Sequence, residues 1–270
     1  MAENQINNKS LSIRVCSNGL SFCTYTPGQD DPFEYKVYDV NHTISLAANL
    51  KEALLNEPML KQDYQRVNVL ITTPRFTTVP VAAFQKEDIQ AVYGFTFPSD
   101  GPLHVSYNVL RRSGIAIVFG LDRNIHQLLL DDFPRARFYA SASTLIEFLS
   151  ERSLSGQKRK MYVYLHEKEM TLYAFEQGRM LFVNNFPVGG VSDMQYYILN
   201  VWQQLQFDQV DDALYVVGDD ERRSKELSEK IKYFLQHVSV IDRSEDFKDR
   251  LTCGNSFIPY DLQTLLICGF

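Results

Sequence analysis

The chain carries one order of elements twice. Three short β-patterned runs, an amphipathic helix, a strand and a second helix begin near Leu11, and the same order starts again near Met161. A repeat of that length within 270 residues points to two homologous lobes facing each other across a cleft. With 45% hydrophobic residues, the chain can fill two cores of ordinary domain size. Its 18 Phe and 15 Tyr beside a single Trp suit half-buried strands, so sheets are expected to dominate.

In the first copy, "LSIRVCSNGLSFCTY" reads as a hairpin. Alternating runs flank Asn18-Gly19, a pair that accepts the positive φ angles of a type I′ turn. Folding about that pair sets Val15 opposite Phe22 and Ile13 opposite Thr24. Leu11, Ile13, Val15, Leu20 and Phe22 then share a buried face, and Arg14, Cys16, Ser21 and Cys23 take the other. "FEYKVYDV" is a third strand, and Ser45 is placed to cap a helix whose apolar positions recur from Leu46 to Leu54 until Pro58 ends it. "RVNVLITTP" follows as a buried strand.

The second copy begins with "KMYVYLHEKEMTLYAFEQGRMLFVNNFPV", three strands with turns at Glu167-Lys168 and Gln177-Gly178. Gly189-Gly190 leads to Ser192 as the expected N-cap of a helix whose stripe runs from Met194 through Ile198 and Trp202 to Leu205. Such spacing marks core rather than a cofactor box. "ALYVVGDD" is a buried strand, Asp219 or Asp220 caps the next helix, and Leu227, Ile231, Phe234 and Leu235 line its inner face. "VSVID" closes the sheet.

Extra material separates the copies: a helical stretch from Ala83 to Tyr93, strands at "HVSYNVL" and "GIAIVFGL", and a helix from Asp122 to Asp132. "RARFYASAS" and a helix through Thr144 to Leu149 return to the first lobe, and "SERSLSGQKRK" is the expected linker. The organisation is therefore lobe I over 1–152, with an inserted α/β subdomain at about 80–133, and lobe II over 153–270.

Composition narrows the function classes. Net charge is −6, and the basic pairs Arg111-Arg112 and Arg222-Arg223 and the triplet Lys158-Arg159-Lys160 are dispersed, which disfavours nucleic acid and anionic membranes as partners. No run approaches the roughly 18 apolar residues of a spanning helix. The polar start "MAENQINNKS" has no signal-peptide core, so a cytoplasmic protein without membrane insertion is expected. Cysteines at 16, 23, 253 and 268 lack C-x-x-C spacing and read as small buried hydrophobes. The chain has no G-x-S-x-G, H-E-x-x-H or G-x-x-x-x-G-K-[ST] motif, and its five histidines are scattered.

With these segments placed, the chain resembles the actin-like ATPase superfold, whose ribonuclease H-like lobes are each built on a βββαβαβ core. The layout is similar to bacterial members that insert a small unit into the first lobe, the type IV pilus assembly protein PilM and the division protein FtsA. The stretch from "HVSYNVLRRSGIAIVFGLDRN" to "FYASASTLIEFL" looks like their inserted subdomain and return strand, and "GRMLFVNNFPVGGVSDMQYYI" looks like the start of their second lobe. The chain is also similar to an uncharacterised bacterial family described as having an actin-like ATPase fold.

That resemblance implies a nucleotide site built on two glycine-containing β-turns, one per lobe, whose amides cradle phosphates. In the first lobe the matching turn is "VCSNGLS", where the family places an Asp-x-Gly with a hydroxyl residue. Ser17, Asn18 and Gly19 occupy it, without a carboxylate. In the second lobe the turn is "LHEKEMT", which lacks glycine and presents Glu167 and Glu169 where a polyphosphate would lie. Carboxylates facing phosphates without a metal repel, and the alternative is that the two glutamates ligate magnesium. The adenosine side needs paired glycines, of which "YVVGDDERR" keeps Gly218.

Ser17, Asn18, Gly19, Glu167 and Gly218 are thus the vestigial cofactor-binding positions, with no catalytic or metal residue assigned. Two functions follow from the resemblance. One is a non-catalytic, cytoplasmic adaptor or scaffold that binds a protein or peptide partner through its cleft or inserted subdomain, with self-association open and no cofactor. The other is a divergent ATP-binding protein or ATPase using ATP and magnesium.

Overall fold

A computed structural model describes residues 9–17, 19–29, 32–97, 101–218, 220–247 and 257–268. Contacts divide the chain into two units, Met1–Leu110 with Gly114–Ser143 and Arg111–Ser113 with Thr144–Phe270.

The first unit begins with β1 (Ser10–Cys16), β2 (Gly19–Tyr25), β3 (Phe33–Tyr38), α1 (Leu46–Asn56) and β4 (Arg66–Ile71). It continues with β5 (Phe76–Pro80), α2 (Ile89–Thr96), β6 (Leu103–Leu110), β7 (Ile115–Asp122), α3 (Arg123–Asp132) and β8 (Arg137–Ala140), from which the chain enters α4 (Ser141–Arg152). The second unit holds β9 (Arg159–His166), β10 (Glu169–Glu176), β11 (Arg179–Pro187), α5 (Val191–Gln204), β12 (Ala213–Gly218), α6 (Glu221–Ile231), β13 (His237–Val240), α7 (Arg243–Asp246) and α8 (Tyr260–Cys268).

The duplication is visible in the strand orders, β3-β2-β1-β4-β8 in one unit and β11-β10-β9-β12-β13 in the other. In each, an antiparallel meander is followed by two strands parallel to the first. The fold is α/β, with the same five-stranded lobe built twice.

The first hairpin differs from the sequence expectation in register. Cys16 pairs with Gly19, so Gly19 belongs to β2 rather than to the turn; Asn18 itself lies outside the described residues. Ile13 faces Phe22 and Val15 faces Leu20, which matches apolar with apolar where the expected register set Ile13 against Thr24. Because side chains alternate with period two, moving each partner by two residues keeps every side chain on its face. The opposite face is also buried, including Ser12, Arg14, Ser21 and Cys23. There burial, then the nearby Glu34, pushes the Cys23 thiol up to about 12. Cys16 is buried, Cys268 is partly buried, and Cys253 lies outside the described residues.

Helix starts follow local chemistry. The Ser45 hydroxyl accepts the Ala48 N–H at 3.2 Å, and the Asp220 carboxylate accepts that of Arg223 at 3.1 Å; Asp219 lies outside the described residues. The N-cap of α5 is Gly190 rather than Ser192. Starting at Val191 puts Asp193 in the first turn, where its carboxylate meets the positive helix end and accepts the Gly189 N–H at 2.9 Å.

Between β4 and β8 the chain adds an antiparallel sheet, β5-β7-β6. Strand β5 was not read from the sequence, and the helix expected over Ala83–Tyr93 is two 3₁₀ turns followed by α2. Asn108 of β6, buried, ties this sheet to the return strand. Its amide donates to Phe138 O at 2.8 Å, and its carbonyl accepts from Ala140 N at 2.9 Å and Ser143 Oγ at 2.8 Å.

In the second unit Met194, Ile198, Val201 and Trp202 of α5 pack with Leu227 and Ile231 of α6 against Met161, Val163 and Leu172 of the sheet. Phe234, expected on the same inner face, is 46% exposed because α6 ends at Ile231 and the helical spacing lapses beyond it. The C-terminal "TLLIC" segment packs within its own unit, with the Thr264 hydroxyl donating to Thr144 Oγ1 of α4 at 2.9 Å.

Glu176, at the end of β10, accepts from Arg179 Nη2 at 2.7 Å and Arg159 Nε at 3.1 Å, and these bonds hold its carboxyl at about 2. A folded pKa below the unfolded value stabilises the fold above the unfolded pKa, and the contribution is lost as pH falls through the folded one. Thermal midpoints measured from pH 5 down to about pH 2 should therefore fall less steeply in Glu176→Gln than in the parent. Equal slopes would show that the cluster contributes nothing.

Candidate functional site

Ligands of α/β sheets gather outside the carboxyl ends of parallel strands. In the first unit that edge carries Ser17, Gly19 and the end of β4. The Val15 carbonyl is occupied by the Thr72 N–H at 2.8 Å, and the Cys16 thiol donates to Gly19 O at 3.3 Å. Gly19 is extended, paired into β2, and has room for a Cβ 3.4 Å from Cys16 Sγ, so neither turn geometry nor close approach demands glycine there. A loop of two residues displays too few main-chain N–H groups to surround a polyphosphate. Neither Ser17 nor Gly19 offers a carboxylate.

In the second unit the corresponding loop is Glu167-Lys168, closed by the pairing of His166 with Glu169. Glu167 sits in the left-handed region at φ 49°, where a side chain is strained. Its carboxylate lies 3.5 Å from His166 Nε2, and its carbonyl accepts a hydrogen bond from the Arg223 guanidinium. The Glu169 carboxylate accepts from the Asn185 side-chain amide. Replacing Glu167 by glycine relieves the backbone strain and is expected to raise stability by about 0.5 kcal/mol in denaturant titrations. A loss of stability would mean that the carboxylate contributes more than the strain costs.

Gly218 ends β12 beside β9, paired with Leu165. A Cβ there would lie 2.9 Å from Leu165 Cβ, 3.1 Å from the Leu165 carbonyl and 3.1 Å from Ser224 Oγ, so glycine is what lets strand, strand and helix meet. The Gly218 carbonyl accepts from the Arg243 guanidinium. The fold thus brings Glu167 and Gly218 to one sheet edge, and each has its carbonyl held by an arginine. From sequence, Arg223 is read only as part of a dispersed basic pair, and Arg243 is not singled out. The available signal was their position just after helix caps, since Asp220 precedes Arg223 and Asp242 precedes Arg243.

Beside Gly218 lies a cavity of about 540 Å³ lined by Glu221, Lys225, Asp242, Arg243 and Ser244. Its charges are internally matched. Lys225 Nζ is 2.5 Å from Glu221 Oε1, and Asp242 accepts from the Ser244 hydroxyl at 2.7 Å and its N–H at 2.8 Å, which lowers the Asp242 pKa. The Ser224 hydroxyl, also lining, donates to Asp220 O at 3.0 Å. Both lining serines are therefore hydrogen-bonded to acceptors other than a base nitrogen, and among the described residues the lining contains no His or Cys. The arrangement can hold a small polar group but does not assemble an activated nucleophile.

Residues 1–238 match the family described as protein of unknown function DUF3822. A crystal structure from Bacteroides thetaiotaomicron, described as a protein with actin-like ATPase fold and unknown function, is similar over 98% of both chains, with 30% identity and a TM-score of 0.83. The structure of a PilM–PilN type IV pilus biogenesis complex is similar over 95% of this chain and 94% of the other, with a TM-score of 0.58 at 8% identity, a likeness of fold. No curated protein matches the chain significantly. Among the described residues no helix is long and apolar enough to cross a membrane.

Proposed function

We propose, for a chain that belongs to the DUF3822 family and has the actin-like ATPase fold, a non-catalytic role as a cytoplasmic adaptor that binds a protein partner. The observation that carries this reading is the state of the two hairpin loops. Each has two residues, and the second-unit edge has its Glu167 and Gly218 carbonyls tied to Arg223 and Arg243. Residues that would meet phosphate in a nucleotide-binding relative serve here as internal fastenings. Ser17, Asn18, Gly19, Glu167 and Gly218 are then remnants of a cofactor site. The PilM relative, seen in complex with PilN, is a precedent for partner binding on this fold. The test is affinity purification of the tagged chain from its own host. A stoichiometric partner that survives high salt is expected, and a monodisperse, partnerless chain would contradict the adaptor role.

One observation favours a second reading, divergent binding of ATP with magnesium: the cavity beside Gly218 with Lys225 and Arg243 in its wall. Phosphoryl transfer rests on positioning and charge neutralisation, which those cations would supply.

A further inference from the structure

The outer face of α5 bears two concavities, of about 490 and 690 Å³, that share Leu199 and Gln203 and so form one groove. The buried stripe of this helix is Met194, Ile198, Val201 and Trp202, with Leu199 packed beside it, so the groove floor is the edge of the core while Ser192, Tyr196 and Gln203 stay exposed along its wall. Its apolar surface is unusually open, with Tyr196 65% exposed, Val210 56% and Phe234 46%. Trp202 lines the wide end, and its buried indole N–H has no acceptor among the described residues.

The polar part of the lining is equally specific. Gln195 and Asn200 at one end and Gln206 and Gln209 at the other bear primary amides, which both donate and accept and so match the peptide group. Among the described residues no Lys or Arg lines either concavity, and the charged residue in the lining is Asp208. Its Oδ1 accepts the Val210 N–H at 2.7 Å and the Asp211 N–H at 3.0 Å, bonds that favour the ionised carboxylate. Arg159 reaches the back of Gln206, donating to its carbonyl at 3.2 Å, but its charge is already engaged by Glu176 at 3.1 Å.

We infer that this groove docks a peptide segment of a partner protein, an aromatic or aliphatic anchor on the Leu199–Trp202 floor, main-chain amides on the glutamines, and a Lys or Arg facing Asp208. The inference rests on the adaptor reading and names its surface. A second copy of the chain fits less well, because each copy carries a net charge of −6 and the groove already holds a carboxylate.

The experiment uses a phage-displayed random dodecapeptide library selected on the full chain, followed by titration of enriched peptides. Trp202 is the chain's single tryptophan, so its emission reports occupancy of the groove. Enriched peptides should carry an apolar anchor with Lys or Arg, lack acidic residues, and change the Trp202 emission saturably. Leu199→Arg should weaken them about tenfold or more, and Val210→Glu, in an exposed loop, should do the same with the thermal midpoint unchanged. Failure to enrich any peptide overturns the inference, as do peptides that bind both variants undiminished. Recovery of a stoichiometric cellular partner that both variants retain overturns the groove while leaving the adaptor reading standing. A concentration-dependent dimer abolished by Val210→Glu overturns it in favour of a second copy.

Discussion

Asp246→Ala is expected to destabilise the second unit by about 3–5 kcal/mol, the largest single effect anticipated outside the hydrophobic core. Its side chain is 9% exposed and joins two others: Arg152 Nε donates to Oδ1 at 2.8 Å and the Tyr260 hydroxyl to Oδ2 at 2.7 Å. The Arg152 guanidinium also lies 4.9 Å from the Tyr215 ring centre and 5.7 Å from that of Tyr162. Removing the carboxylate strands a half-buried cation and leaves the hydroxyl of a fully buried tyrosine without its acceptor. The rings of Phe148, Phe247 and Tyr260, within 6.0 Å of one another, pack beside it and hold the C-terminal helix, so the loss should spread to α8. At about 2–4 °C per kcal/mol, the thermal midpoint should fall by roughly 10 °C. Asp246→Asn retains an acceptor for Tyr260 and should lose less. A change under about 1 kcal/mol in both variants would show that solvent screens the pair.

Gly218→Val is expected to cost about 3 kcal/mol, because the new side chain meets Leu165 and Ser224 inside ordinary van der Waals contact and one obstacle, the Leu165 carbonyl, is backbone. Strand β12 would have to separate from β9 or α6 would have to retreat. Gly218→Ala should show a smaller loss of the same sign. Since the main chain needs glycine here for packing, the destabilisation should be the same with and without magnesium ATP. Stability restored by nucleotide would instead give Gly218 a ligand-facing role.

The repeat in the sequence was legible because each strand is an apolar run bounded by turn residues, and because an α/β lobe must bury both sheet faces. "KMYVYLHEKEMTLYAF" placed the Glu167-Lys168 turn correctly, as the apolar alternation on either side leaves one register. "VCSNGLS" was misplaced by one residue, since Asn-Gly is a strong local turn signal and the pairing of Ile13 with Phe22 outweighs it. Strand β5 escaped because "FTTVP" is short and ends in proline, yet its Thr-Thr-Val run is β-branched and pairs with β7. Phe234 was misassigned by extending a helical period past the end of the helix. The site was less legible than the fold. That Gly218 must be glycine depends on its register with Leu165, and the arginine bonds span 56 residues for Arg223 to Glu167 and 25 for Arg243 to Gly218, distances over which no local pattern operates.

Whether the two-residue hairpin loops of this actin-like ATPase fold are too tight to hold phosphate is tested most directly by calorimetric titration of the folded, nucleotide-free chain with magnesium ATP. No saturable heat up to millimolar ATP is expected. Saturable binding at micromolar concentration, lost in Arg243→Ala, would contradict it and establish the cavity beside Gly218 as a working nucleotide site.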